Sequence, residues 1–121
     1  MSGLFDDEII ALARRVVETN AAAGRKVVLA ESCTGGLVCG AITEIAGSSA
    51  VLERGFVTYS NEAKTAQLDV HGDVLETFGA VSVATAWAMA QGALQSTHAH
   101  VAVAIAGIAG PAGGSDNEPV G

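Results

Sequence analysis

One segment of the sequence places two nucleophilic side chains beside a pair of glycines. The segment is Glu31-Ser32-Cys33-Thr34-Gly35-Gly36, which follows an apolar run and precedes a helical pattern. It therefore predicts a tight turn from a strand into a helix, and such a turn exposes backbone N–H groups that bind an oxyanion or a phosphate. The chemistry this allows is nucleophilic catalysis by a hydroxyl or a thiol. The structural alternative is that Ser32 or Thr34 only caps the helix.

A serine hydroxyl needs a neighbouring base, and Lys64 is the candidate that we favour. It falls in the first turn of a helix that Asn61 is predicted to cap. To act as a base, a lysine must have its pKa lowered from about 10.4 to roughly 7–8, so we expect Lys64 to be partly buried. The alternative is an ordinary solvated lysine. The histidines lie in polar connectors or at a strand start and suggest no Ser-His-Asp triad; they are His71, His98 and His100.

Cys33 is the rival nucleophile, because a thiol at a helix N-terminus is easily ionised and needs no strong base. Neighbouring side chains in a turn point in different directions, so we expect only one of Ser32 and Cys33 to face a ligand. The spacing of Cys33 and Cys39 fits neither a CxxC redox pair nor a zinc site. We expect two reduced thiols, no metal site and no cofactor.

The elements that position these residues follow from the hydrophobic pattern. Apolar residues from Asp6 to Ala23 recur with the helical period. Compact apolar runs predict strands at 26–30, 55–59 and 100–106. Helical patterns follow at 36–45, from Asn61 through Ala66, and from a Ser82 cap through Leu94, while residues 71–79 read as a connector.

Strands that alternate with helices favour parallel pairing with helices on both faces of the sheet. We therefore predict an α/β fold, a three-layer α/β/α sandwich with a mostly parallel sheet. Ligands bind outside the carboxyl ends of the strands in such folds. Three turns are expected to meet there, at 31–36, 58–61 and 107–111.

Composition and charge exclude several classes of protein. Half of the 121 residues are hydrophobic and 16% are charged, which excludes a disordered chain and suits one domain. The net charge of −7 argues against a nucleic-acid or membrane-surface binder. No basic residue follows Lys64, so an anionic ligand would need backbone donors. Acidic residues near the start and the absence of a long apolar run favour a cytoplasmic protein.

Four motifs together resemble the CinA C-terminal domain family. They occur in the family's order and are AESCTGG at 30–36, GFVTYSNEAK at 55–64, GAVS at 79–82, and GIAGP at 107–111 leading to PVG at 119–121. The family includes nicotinamide-nucleotide amidases, which convert nicotinamide mononucleotide to nicotinate mononucleotide and ammonia. The resemblance therefore implies amide hydrolysis of this small molecule in pyridine nucleotide salvage. The alternative is a non-catalytic module that binds nucleotide or acts in competence or the DNA-damage response.

Matching the motifs residue by residue implies roles for individual side chains. Ser32 would be the nucleophile, Lys64 its base, and Tyr59 a neighbour that helps to position the pair. The residues implied in substrate binding are Cys33, Thr34, Gly35, Gly36, Asn61, Gly107, Gly110, Gly113 and Gly114.

Members of the family continue beyond Pro-Val-Gly with a further strand and helix. We therefore expect residues 1–121 to form a single amidohydrolase domain of this type that lacks its last strand and helix. An unpaired strand edge invites pairing with another chain, so we also expect a homo-oligomer.

Overall fold

The computed structural model describes residues 3–114 and 119–121. The elements, in chain order, are α1 (Asp7–Ala22), β1 (Val27–Glu31), α2 (Leu37–Thr43), a 3₁₀ turn (Ser48–Ala50), β2 (Leu52–Val57), α3 (Asn61–Leu68), α4 (Gly72–Phe78), α5 (Val83–Gln95) and β3 (Val101–Ile105). None of the helices in the described residues is both long enough and apolar enough to cross a membrane.

The three strands form a parallel sheet in the order β2-β1-β3, with β1 in the centre. At the carboxyl end of β1, Glu31 pairs with Val57 on one side and Ile105 on the other. All three strands therefore end at the same edge of the sheet. The turns that follow them are brought together there, as the sequence predicted.

Every residue of β1 is buried, because helices cover both faces of the strand. On one face, Val27 and Leu29 pack against α1 and α2. On the other face, Val28 and Ala30 belong to a second core cluster with Leu68, Val70, Met89 and Ala93. The predicted α/β class is confirmed, with helix layers on both sides of a parallel sheet.

Three local predictions were wrong. The cap of α3 is Ser60, whose Oγ accepts a hydrogen bond from the Ala63 N–H at 3.0 Å, so Asn61 is the first helical residue. β2 begins at Leu52 rather than Gly55. The connector between α3 and α5 contains α4, which is too short to show a clear helical period and packs Val74 and Leu75 against the core.

Candidate active site

Ser32 lies directly after β1, where the sheet ends. Its backbone N–H donates to the carbonyl of Ile105 at 3.0 Å, which fixes the residue against the end of β3. The turn then closes through a hydrogen bond from the Gly35 N–H to the Ser32 carbonyl at 3.1 Å. Ser32 is 9% exposed, so its hydroxyl is nearly enclosed.

Lys64 contacts this serine from α3. Its Nζ lies 3.1 Å from Ser32 Oγ and 3.1 Å from the carbonyl oxygen of Tyr59, and is hydrogen-bonded to both. The side chain is only 1% exposed. Burial lowers the pKa of the Lys64 amine below its ordinary value, while the electrostatic interaction with Cys33 acts in the opposite direction. A larger fraction of such a buried lysine is neutral near pH 7 than of a solvated one, so its amine is more often available to accept a proton.

Tyr59 contributes to the pair through its backbone. Its carbonyl oxygen accepts a hydrogen bond from Lys64 Nζ and so helps to orient the amine. Tyr59 immediately precedes Ser60, the residue that caps α3. The Tyr59 side chain is 73% exposed and lies at the rim of the adjoining cavity.

A cavity of about 360 Å³ opens beside the serine and the lysine. Its lining residues come from the segments that follow the three strands, from α3 and from the turn before α5; they are Ser32, Cys33, Tyr59, Asn61, Lys64, Ala80, Val81, Gly107, Ile108, Ala109, Gly110 and Ala112. Among the residues that the structure describes, Lys64 is the only Lys or Arg in this lining, and no carboxylate contributes to it. The cavity is therefore suited to an uncharged or anionic ligand.

Ser32 and Cys33 both line this cavity, whereas we expected only one of them to face a ligand. The alternation of side chains that holds in a strand ends with β1. In the tight turn that follows, the backbone reverses direction and presents consecutive residues to the same side.

The structure separates the predicted binding residues into two groups. Cys33, Asn61, Gly107 and Gly110 line the cavity. Five others do not contribute to the lining: Thr34, Gly35, Gly36, Gly113 and Gly114. The sequence reasoning did not single out Ala80, Val81, Ile108, Ala109 and Ala112 as individual site residues, although they fall in or next to the GAVS and GIAGP motifs.

The turn does not present all of its backbone donors to a ligand, because Glu31 already occupies several of them. Its Oε1 accepts hydrogen bonds from Thr34 Oγ1 at 2.6 Å, the Gly36 N–H at 3.1 Å and the Val38 N–H at 3.0 Å. Its Oε2 accepts from the Cys39 N–H at 2.9 Å. This corrects the expectation that N–H groups across residues 33–36 would bind an anion.

Two backbone donors of the turn are not used by Glu31. The backbone N–H groups of Cys33 and Thr34 make no hydrogen bond to any residue that the structure describes. They directly follow Ser32 in the chain, where the N–H groups of an oxyanion hole are needed.

Glu31 is fully buried, and burial alone would disfavour its charged form. The hydrogen bonds from Thr34, Cys39 and Val38 outweigh burial and lower the pKa of the carboxyl below its ordinary 4.5. Burial and the neighbouring Glu31 together raise the pKa of the Cys39 thiol to about 12. Cys39 therefore stays protonated and is a poor nucleophile.

Within residues 3–114 and 119–121, no group of three or more His, Cys, Asp or Glu side chains is arranged to hold a metal ion.

Two relatives illustrate what this chain is similar to in sequence. Nicotinamide-nucleotide amidohydrolase PncC of Escherichia coli K12 is 53% identical over 118 residues, which cover 98% of this chain and 72% of that protein. A CinA-like protein of Colwellia psychrerythraea is 52% identical over 96 residues. The match covers 79% of this chain and only 22% of that protein, so the chain spans a small part of the longer relatives.

Solved structures and a family model agree with these sequence matches. The crystal structure of the competence/damage inducible protein CihA from Agrobacterium tumefaciens superposes with a TM-score of 0.93 at 56% identity. The superposition covers 98% of this chain and 72% of that one. Residues 9–121 match the model of the CinA C-terminal domain. The chain belongs to the CinA C-terminal domain family.

Proposed function

We propose that this chain is a serine amidohydrolase that converts nicotinamide mononucleotide to nicotinate mononucleotide and ammonia. The observation that carries the proposal is the 3.1 Å contact between Ser32 Oγ and the buried Lys64 Nζ at the edge of the cavity. A relative 53% identical over nearly the whole chain carries the name of this activity. We also propose a cytoplasmic setting, where thiols such as those of Cys33 and Cys39 are kept from forming disulfides.

The first half of the reaction forms an ester. Neutral Lys64 takes the proton of Ser32 Oγ while this oxygen attacks the carboxamide carbon of the substrate. The N–H groups of Cys33 and Thr34 hydrogen-bond the oxyanion of the tetrahedral intermediate. The Lys64 ammonium then returns a proton to the amide nitrogen, the C–N bond breaks, and ammonia leaves.

The second half regenerates the enzyme. Water attacks the ester carbon, Lys64 takes one of its protons, and the carbonyl oxygen again uses the two N–H groups of the turn. Collapse of this intermediate breaks the bond to Ser32 Oγ, which receives the proton from Lys64. The products are the original serine and the nicotinate carboxylic acid, which releases its remaining proton to water and becomes the carboxylate.

The cavity lining supports a pyridine nucleotide as substrate. Val81 and Ile108 offer apolar contacts for the flat ring, and Asn61 offers an amide for a hydroxyl or a carboxamide. Within residues 3–114 and 119–121, no carboxylate that would repel a phosphate contributes to the lining.

Ammonia release tests the proposal directly. The chain is incubated with nicotinamide mononucleotide, and ammonia and nicotinate mononucleotide are quantified together, with Ser32→Ala as the control. Equimolar products from the unsubstituted chain, and none above background from the variant, support the enzyme. Tight binding of the nucleotide with no ammonia would instead favour the alternative, a binding module without turnover.

A further inference from the structure

Helix α1 carries a second apolar face besides the one that packs on the sheet. Ala13 and Val17 are buried in the core. On an adjacent side of the helix, Ile9, Leu12 and Val16 are 40%, 52% and 38% exposed. Their spacing of three and four residues makes a continuous stripe along the helix.

The stripe forms one wall of a groove between α1 and α2. The groove has a volume of about 480 Å³, and all ten of its lining side chains are apolar. Leu37, at the start of α2, lies in the opposite wall and is 63% exposed. Apolar side chains arranged this way along two helices are typical of a helix-binding surface.

Opposite charges flank the stripe in an arrangement that fits a second α1 helix. Glu8 and Arg15 are seven residues apart, so they lie on the same flank of the stripe, and both are exposed. Among the described residues, the ion pair is that of Glu53 with Arg54. Neither Glu8 nor Arg15 therefore forms an ion pair within the described part of its own chain.

The order of these charges along α1 sets the direction of pairing. When two such helices pack antiparallel, Ile9 of one faces Leu12 of the other, and Glu8 faces Arg15 on the same flank. This pairing occurs twice by symmetry. In a parallel pair Glu8 would instead face Ala13, which is buried in its own core.

We propose that α1 and α2 form the interface of a two-fold symmetric dimer, in which the α1 stripes of two copies pack antiparallel and Glu8 of each copy pairs with Arg15 of the other. The dimer closes, because the same surface is used by both copies. Helix α5 also exposes two apolar side chains, Val83 and Trp87. They lack flanking charges of opposite sign, because no Lys or Arg follows position 64.

Charge reversal tests this geometry. Glu8→Arg alone places like charges together twice, and so does Arg15→Glu alone. Each is expected to weaken the dimer on the order of tenfold in Kd, measured by sedimentation over a range of chain concentrations at low salt. The double variant Glu8→Arg/Arg15→Glu restores the dimer. An equimolar mixture of the two single variants is expected to form a heterodimer.

Matched controls reverse charges on the far side of the same helix. Arg14→Glu and Glu18→Arg change exposed residues outside the stripe and its flank, and they are expected to leave the Kd unchanged. Leu12→Lys is expected to give a monomer whose melting temperature is close to that of the unsubstituted chain at low concentration. An unsubstituted chain that stays monomeric at all concentrations overturns the proposal, and so does a dimer indifferent to both single reversals.

Discussion

The carboxylate of Glu31 accepts a hydrogen bond from the backbone N–H of Cys39, eight residues later, at 2.9 Å. With the bonds from Gly36 and Val38, this contact ties the last residue of β1 to the first turn of α2. Ser32 lies in the segment that these bonds enclose, so the position of its hydroxyl depends on Glu31. We therefore regard Glu31 as a positioning residue for the proposed reaction.

Replacing Glu31 by glutamine tests this role. Glu31→Gln keeps the size of the side chain but loses the charge and turns an amide NH₂ toward backbone donors. Hydrogen bonds to a charged group contribute about 1.5–3 kcal/mol each, so we expect a loss of stability of about that size. We also expect kcat for ammonia release to fall while KM changes little, because the cavity lining is untouched. Glu44→Gln, at an exposed position just after α2, is the matched control.

The lowered pKa of Glu31 also predicts how stability depends on pH. Its ionised form stabilises the fold fully above the ordinary value of 4.5, and this contribution is lost as pH falls through the lower pKa of the folded state. Glu31→Gln lacks this contribution at every pH. The melting temperatures of the two proteins are therefore expected to differ near neutrality and to converge in strong acid. A constant difference down to low pH would contradict the assignment.

Ser32 and Cys33 both line the cavity, so substitution must decide which one is the nucleophile. Ser32→Ala is expected to abolish ammonia release and leave nucleotide binding largely intact, whereas Cys33→Ala retains turnover. Because the electrostatic interaction with Cys33 raises the pKa of Lys64, removal of the Cys33 side chain should move the rising limb of the pH–rate profile to lower pH. Turnover that survives Ser32→Ala and is lost in Cys33→Ala would identify the thiol instead.

Lys64→Arg tests whether Lys64 acts as a general base or only as a positive charge. Arginine keeps the charge but does not lose its proton in proteins, so this variant is expected to be nearly as inactive as Lys64→Ala. In the unsubstituted chain, kcat should rise with pH through an apparent pKa below the 10.5 of an ordinary lysine. Substantial activity in Lys64→Arg would show that the lysine acts only electrostatically.

Much of the architecture could be read from the sequence, because β1 and β3 are compact apolar runs and β1 is buried on both faces. The pattern also predicted that the turns after the strands would meet at one edge. The Ser82 cap of α5 was predicted as well, and its Oγ accepts from the Thr85 N–H at 3.1 Å. Local signals and strand order were sufficient for these features.

The role of Glu31 could not be read in the same way. In the sequence it is one polar residue at the end of an apolar run, and its four partners extend over Thr34 to Cys39. Only the folded turn reveals that its carboxylate takes donors that the glycines seemed to offer a ligand. An acidic residue at the end of a buried strand, followed by a glycine pair, is the sequence signal that indicates such a carboxylate-bound turn.

The contact between α3 and α5 depends on a glycine. A side chain at Gly92 would overlap the carbonyl oxygen of Leu68, so the two helices approach with no room for a methyl group. Alanine is ordinarily better than glycine inside a helix by about 1 kcal/mol. Here the clash is expected to dominate, and Gly92→Ala should lower the free energy of unfolding by about 1–3 kcal/mol, measured by urea denaturation.

Gly72→Ala is the matched control for this substitution, because an added methyl group at this helical position meets no atom within 4 Å. It is expected to leave stability unchanged or raise it slightly. Leu68 and Lys64 belong to the same short helix, so displacement of α3 by Gly92→Ala should also move the amine away from Ser32 and reduce ammonia release. If Gly92→Ala were as stable and active as Gly72→Ala, the close approach of these helices would not be what holds Lys64 in place.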